Sequence, residues 1–186
     1  MEADWEFEIG SDAPVIDAHW QGFVDLSAHL ECAADLPEVA GLPALAETLT
    51  RLNDPSSCIW TSKCDVWQID PKTEQLDPDE LDSPSGVPAA ACACYIDLLA
   101  RSSERWANLD NLARDCVKLC ARLREIELRC SRADLIIRRA VLANGESTPA
   151  VTSYLTACGS SEDAARQILA QALYAFADSL LSAWTH

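Results

Sequence analysis

The chain is poor in positive charge. Its 186 residues include 14 Lys or Arg against 30 Asp or Glu, which gives a formal net charge of -16. Residues 1–90 hold 19 of the acids and 3 of the bases, so the whole excess of negative charge lies there. Nucleic acids and anionic membranes are bound through Lys and Arg. The composition therefore argues against both as partners of this half. It favours a basic protein, or a charge that serves only solubility.

Motifs that identify common enzymes are also missing. The sequence contains no Gly-rich phosphate loop, GxSxG, HExxH, dinucleotide-binding fingerprint or CxxC, and it has only three histidines. No run approaches the roughly 18 apolar residues of a membrane span. The start "MEADWEFEIG" lacks the basic and apolar regions of a signal peptide. We expect a cytoplasmic protein, and the sequence predicts no cofactor.

Nine cysteines are present, an odd number at irregular spacings, which indicates thiols rather than a disulfide framework. Cys116 and Cys120 are four residues apart, a spacing that can chelate a metal from one helix face. The stretch "DAHWQGFVDLSAHLEC" adds His and Asp residues. A metal- or thiol-dependent enzyme is thus one alternative, although buried structural thiols explain the pattern better. The residues of this alternative are Cys116, Cys120, His19, His29 and Cys32.

Alternating residues in the first 70 positions predict β-strands. In "WEFEI", Trp5, Phe7 and Ile9 share one face and the glutamates share the other. A second alternating run spans residues 15–26, and the two runs predict a hairpin in which His19 faces a glutamate. In "SCIWTSKCDVWQID" we expect a third strand with Trp60 and Cys64 inward and Trp67 outward. A helix is predicted between them at 42–54.

Residues 70–88 contain four prolines and six acids, which is typical of a loop. Beyond residue 88, apolar residues at steps of three and four, above all from Leu109 to Ile137, predict helices. A last helix begins after Gly159. The expected fold is α+β, with a three-stranded antiparallel sheet in the N-terminal part packed on a C-terminal bundle of about four helices. Residues 1–70 would form the acidic sheet with one helix, 71–88 the acidic Pro-rich loop and 89–186 the bundle, all within one continuous globular domain.

The outer face of the predicted sheet is the favoured candidate for a functional surface. Acidic side chains would line up there, and a docking surface for a basic partner fits them better than a metal site, because an open sheet is a poor metal pocket. The protein would then be a non-catalytic adaptor or an inhibitor or immunity-type protein. The candidate residues are Glu2, Asp4, Glu6, Glu8, Asp17, His19, Asp25, Lys63 and Trp67. Reversal of Glu6 and Glu8 to Lys is expected to abolish partner capture without unfolding the protein.

Two further alternatives follow from the predicted helices. The last helix has only a narrow polar stripe, so it is either central in the bundle or buried against a second copy. A homodimer through this helix, or a small apolar ligand between the helices, would use that surface. Basic residues on the predicted long helix, including Arg129 and Arg132, indicate a solvated face, an anion site or an internal dock for the acidic loop.

Overall fold

Six strands form one mixed sheet in the computed structural model, which describes residues 1–71, 76–83, 86, 88–102 and 104–184. The strands are β1 (Glu2–Phe7), β2 (Val15–Asp17), β3 (Ile59–Ile69), β4 (Ala90–Ala100), β5 (Ser131–Val141) and β6 (Ser147–Gly159). The α-helices are α1 (Pro43–Leu52), α2 (Leu109–Arg124) and α3 (Glu162–Trp184), and short 3-10 helices span Leu30–Asp35 and Pro37–Val39. The expected fold class is therefore right in being α+β, and wrong in its sheet and its bundle.

The strand order is β1-β5-β6-β4-β3, with β2 placed beside β5 beyond the end of β1. Both β1 and β2 run parallel to β5, whereas β5, β6, β4 and β3 are antiparallel neighbours. The predicted hairpin of the first two strands is thus wrong. Parallel pairing on β5 brings Ala3 and Trp5 against the main core, while Phe7 is 48% and Ile9 39% exposed. Glu6 accordingly lies opposite Ile136, not His19.

Three of the segments expected to be helical are strands. The run "AACACYIDLLA" is β4, which lies in the middle of the sheet with most residues buried on both faces. A fully buried strand reads as a continuous apolar run, so periodicity alone does not separate it from a buried helix. The long predicted helix ends at Arg124, and its continuation is β5, where Ala133, Leu135 and Ile137 are fully buried at steps of two. β6 replaces the predicted short helix.

All three α-helices pack on one face of the sheet. α3 lies over β6 and β4 and contacts both α1 and α2. Leu173, Phe176 and Trp184 of α3 are fully buried within a single chain, which favours the central position over burial against a second copy, although the helix packs on a sheet and not in a bundle. α1 is confirmed, beginning at Pro43 and burying Leu45 among others. No helix in the described part of the chain is long and apolar enough to cross a membrane.

Part of the acidic loop crosses the opposite face of the sheet. Leu81 is buried there in a small cluster with Ile69 and Cys158. Glu80 forms an ion pair with Arg132 at 3.4 Å, and Asp82 forms one with Arg129 at 3.4 Å. The internal dock for this loop is confirmed for these residues, although the two arginines lie before and within β5 instead of on a helix. Residues 72–75, 84–85 and 87 of the loop are outside the described residues.

Each of the two edge strands β1 and β3 has an aspartate that caps its own backbone. Asp4 accepts a hydrogen bond from the backbone N–H of Trp5 at 2.8 Å, and Asp65 accepts one from Val66 at 2.7 Å. A charged side chain that occupies an edge N–H hinders the addition of a further strand.

The turn from β6 into α3 leaves no room for a side chain at Gly159. A Cβ there would lie 2.8 Å from the backbone nitrogen of Ala165 and 3.0 Å from the Cβ of Ala164. We expect Gly159→Ala to lower the free energy of unfolding by about 1–3 kcal/mol, because overpacking forces the backbone to shift. Urea denaturation checks this value. Gly10→Ala is the matched control, because nothing lies within 4 Å of its Cβ position. Equal stability of the two variants would contradict the packing described.

Candidate functional site

The sheet face opposite the helices, hereafter the outer face, carries a band of acidic and aromatic side chains across five strands. In register, Asp65 of β3 lies opposite Tyr95 of β4, which lies opposite Tyr154 of β6. Tyr154 in turn lies opposite Asp134 of β5, and Asp134 lies beside Asp4 of β1. Directly opposed residues on one face have Cβ atoms about 4.5–5.5 Å apart. These five residues, hereafter the tyrosine row, thus place two phenols between carboxylates.

The two tyrosines form an aromatic cluster with Trp67. The ring centroid of Trp67 lies 6.3 Å from that of Tyr95 and 6.4 Å from that of Tyr154. The centroids of the two tyrosine rings lie 5.9 Å apart. All three side chains are half-buried, so the cluster is open to solvent. Burial, with the nearby charges of Asp97 and Asp65, raises the pKa of Tyr95 to about 12. Its hydroxyl therefore stays protonated at neutral pH and acts as a hydrogen-bond donor or acceptor.

A buried carboxylate lies beside the tyrosine row. Asp97 is 5% exposed and accepts a hydrogen bond from the hydroxyl of Thr152 at 2.6 Å. Burial raises the pKa of Asp97, an effect that the Thr152 hydrogen bond and the charges of Lys63 and Arg138 oppose. Within the described residues, Asp97 forms no ion pair within 4 Å. The outer face therefore holds a carboxylate whose charge is only partly compensated.

Arg138 shows how this face binds a guanidinium group. Its Nε and Nη2 atoms donate to Glu8 at 2.8 and 2.6 Å. Its Nη1 donates to the hydroxyls of Thr152 at 3.3 Å and Tyr154 at 3.2 Å. The guanidinium carbon also lies 5.7 Å from the centroid of the Tyr154 ring. Carboxylate, hydroxyl and aromatic groups thus act together on one cation.

An open groove of about 460 Å³ lies next to the tyrosine row, between β1 and the segment 76–81. Tyr154 and Ile136 contribute to its lining. Arg132 donates to both carboxylate oxygens of Asp134 at 2.8 and 2.9 Å. Burial still raises the pKa of Asp134, against the opposing effect of Arg132. The carboxylates of this groove, hereafter the acidic groove, are Asp4, Glu6, Asp77, Glu80 and Asp134. Arg132 is the one basic residue among the lining residues that the structure describes, so the groove keeps an excess of negative charge.

The structure divides the sequence-predicted surface into separate groups. Glu2, Asp4 and Glu6 are exposed on the outer face of β1, and Trp67 joins the aromatic cluster. Glu8 binds Arg138, so its reversal to Lys would break an ion pair within the chain. We therefore expect this reversal to lower stability, in contrast to the expectation from the sequence. Asp17 lies on the other side of the sheet from the outer face. Side chains alternate along a strand, and its neighbour Ile16 is the residue of β2 that packs on the outer face.

The other predicted residues gather near the end of the sheet where Trp60 lies. His19 has a positive φ of 64° and packs its ring 4.6 Å from Phe23 and 5.3 Å from Trp60. Trp60 therefore points outward here, contrary to expectation, because a bulge between Thr61 and Cys64 changes which residues face the core. Lys63 lies 5.6 Å from the Trp20 ring. Asp25 accepts two hydrogen bonds from Ser27, and the side-chain bond is the main cause that lowers its pKa.

The residues missed by sequence reasoning are those on segments taken for helices. They are Tyr95, Asp97, Asp134, Arg138 and Tyr154. One signal was present in β5, where Arg132, Asp134 and Arg138 alternate with the apolar Ala133, Leu135 and Ile137. That period of two is typical of a strand with one solvent-exposed face. No such signal marks β4, which is apolar almost throughout.

The proposed metal or thiol residues are not brought together. Cys116 and Cys120 are buried on α2, whereas His19 packs on the outer face and His29 is exposed beside Glu31. In the ranges that the structure describes, no group of three or more His, Cys, Asp or Glu residues could hold a metal ion. Burial raises the pKa of Cys120 to about 11 and that of Cys64 to about 12. A thiol of that kind is a poor nucleophile. The bundle interior expected to hold a small ligand is replaced by packing of helices on the sheet.

Comparison with known proteins adds no assignment: no family model, curated protein or solved structure matches the chain.

Asp97 is expected to lower stability at neutral pH, because its pKa in the folded state is raised above the ordinary value of 3.8. Below the pKa of the unfolded state, the carboxyl group is protonated in both states and does not lower stability. Stability is then lost as the pH rises through the pKa of the folded state. We expect Asp97→Asn, which can keep the contact to Thr152, to unfold at a higher temperature than the wild type at pH 7. The difference should vanish near pH 3. Thermal melts across this range test the prediction, with the exposed Asp35→Asn as the control. A lower Tm for Asp97→Asn at pH 7 would contradict it.

Proposed function

We propose that this protein is a non-catalytic, cytoplasmic interaction protein that docks a basic segment of a partner protein on the outer face of its sheet. The observation that carries the proposal is the one-sided architecture. The three α-helices occupy one face, while the opposite face combines the acidic groove with the tyrosine row. A solvated sheet face needs no aromatic cluster for stability, and aromatic residues are enriched where a protein meets a partner.

Charge complementarity identifies the partner's chemistry. The acidic groove has five carboxylates and one arginine among its lining residues in the described ranges, and the first 90 residues carry the whole negative excess of the chain. Opposite charges across an interface accelerate encounter and reject wrong partners more than they raise affinity. A basic segment would therefore bind quickly, and its binding would weaken as salt rises.

The outer-face groups suit binding better than catalysis. Tyr95 is held protonated, and Asp97 is engaged by Thr152. Arg132 and Arg138 are each held by a carboxylate of the same chain, Asp134 and Glu8 respectively. These contacts fix the positions of the side chains, which is what a specific docking surface requires.

Neutralisation of two outer-face carboxylates tests the proposal. We expect Asp4→Asn with Glu6→Gln to weaken binding of an octapeptide of alternating arginine and serine by about three- to tenfold at low salt, since each exposed ion pair contributes little. The amides keep the shape of the side chains, and the amide oxygen introduced at position 4 can still accept from the Trp5 N–H. Isothermal titration calorimetry at low and high salt measures the effect.

The matched control is Asp35→Asn with Glu47→Gln, which removes the same charge from exposed positions on the side of the sheet that carries the helices. This double variant should bind the peptide as the wild type does. An equal loss in both double variants would show that only net charge matters and would overturn the proposed surface. Absence of measurable binding by the wild type at low salt would overturn the proposed function itself.

A further inference from the structure

The centre of the outer face has the features of a subsite for one cationic side chain. Tyr95 and Tyr154 lie side by side in the tyrosine row, and Trp67 contacts both rings. Asp65 and Asp134 stand at either side of the two phenols in the register of the sheet. Aromatic faces attract cations through the negative charge of their π systems, and flanking carboxylates add to that attraction.

Asp97 adds a third carboxylate beside the aromatic cluster, and the charges of Lys63 and Arg138 compensate it only in part. Its side chain is only 5% exposed and bonded to Thr152, and it forms no ion pair within 4 Å in the described part of the chain. The charges of Asp97 and Asp65 both act on the Tyr95 hydroxyl, so these two carboxylates lie close to the aromatic cluster. A buried carboxylate without a paired charge costs stability, and carboxylates perturbed in this way cluster at functional sites.

The chain's own arginines indicate which cation this chemistry favours. Arg138 uses its planar group to contact a carboxylate, two hydroxyls and the Tyr154 ring together. Arg132 binds both oxygens of Asp134 through its Nε atom. A guanidinium stacks on aromatic rings and gives up its weak hydration easily, whereas the compact ammonium of lysine holds water more strongly. A half-buried aromatic cluster beside carboxylates therefore favours arginine.

We propose that Trp67, Tyr95 and Tyr154, with Asp65 and Asp97, form an arginine-selective subsite that anchors the basic segment of the partner. This inference rests on the proposed function and narrows the partner to one that presents an arginine. The acidic groove, which begins at the same Tyr154, would attract the neighbouring basic residues without choosing between lysine and arginine.

Two octapeptides, one alternating arginine with serine and the other lysine with serine, test the selectivity. We expect the wild type to bind the arginine peptide about tenfold more tightly, in keeping with a stacked and partly desolvated cation–π contact. Trp67→Leu should reduce that ratio to about one by weakening the arginine peptide alone, and Trp67→Phe, which keeps an aromatic face, should restore most of it. Circular dichroism of each variant confirms that the fold is kept.

The outcomes separate the two proposals. Equal affinity of the wild type for both peptides, or a preference that survives Trp67→Leu, overturns the arginine subsite and leaves the basic docking surface standing. Failure of both peptides to bind overturns both proposals. Binding of spermidine as tight as that of the arginine peptide would make a free polyamine the occupant and would also overturn the subsite. An arginine preference that is lost in Trp67→Leu and regained in Trp67→Phe supports it.

Discussion

Burial of one sheet face beneath α1, α2 and α3 is the constraint on which the remaining structure depends. β4, β5 and β6 turn fully buried residues such as Ile96, Leu135 and Leu155 toward the helices. Because side chains alternate along a strand, every second residue must then point to the opposite face. The tyrosine row and the strand carboxylates of the acidic groove occupy those alternate positions. The position of the candidate surface is therefore a consequence of how the core is built.

The fold was predictable where a segment has one clear period. α1 and α3 follow the three-to-four spacing of helices, and β1 alternates with a single polar face. β4 was not predictable in this way, since a central strand is apolar on both faces and its alanines favour a helix. The parallel pairing of β1 with β5 joins Glu2 to Arg132 and Phe7 to Ile137, residues from opposite halves of the chain. No local pattern encodes such a pairing, so alternation in the first 26 residues does not predict the register of β1 and β2.

The candidate surface was half predictable for the same reason. The acidic residues of β1 and the outward direction of Trp67 follow from alternation in the first 70 residues. Their partners Tyr95, Asp134 and Tyr154 come from the second half of the chain, and only the sheet register brings them together. The overall charge indicated a basic partner, while the aromatic component became visible only with the structure. Glu8 illustrates the limit of a charge pattern, because it binds Arg138 inside the chain.

Docking of a basic segment on the outer face is tested most directly by residue-by-residue mapping of that contact. Titration of the isotope-labelled protein with the arginine–serine octapeptide, followed by two-dimensional NMR, would locate the peptide. We expect shift changes to concentrate at the indole N–H of Trp67 and the backbone amides around Tyr95, Asp134 and Tyr154, with little change in α1 and α3. Changes centred on the helices, or none at saturating peptide, would contradict it.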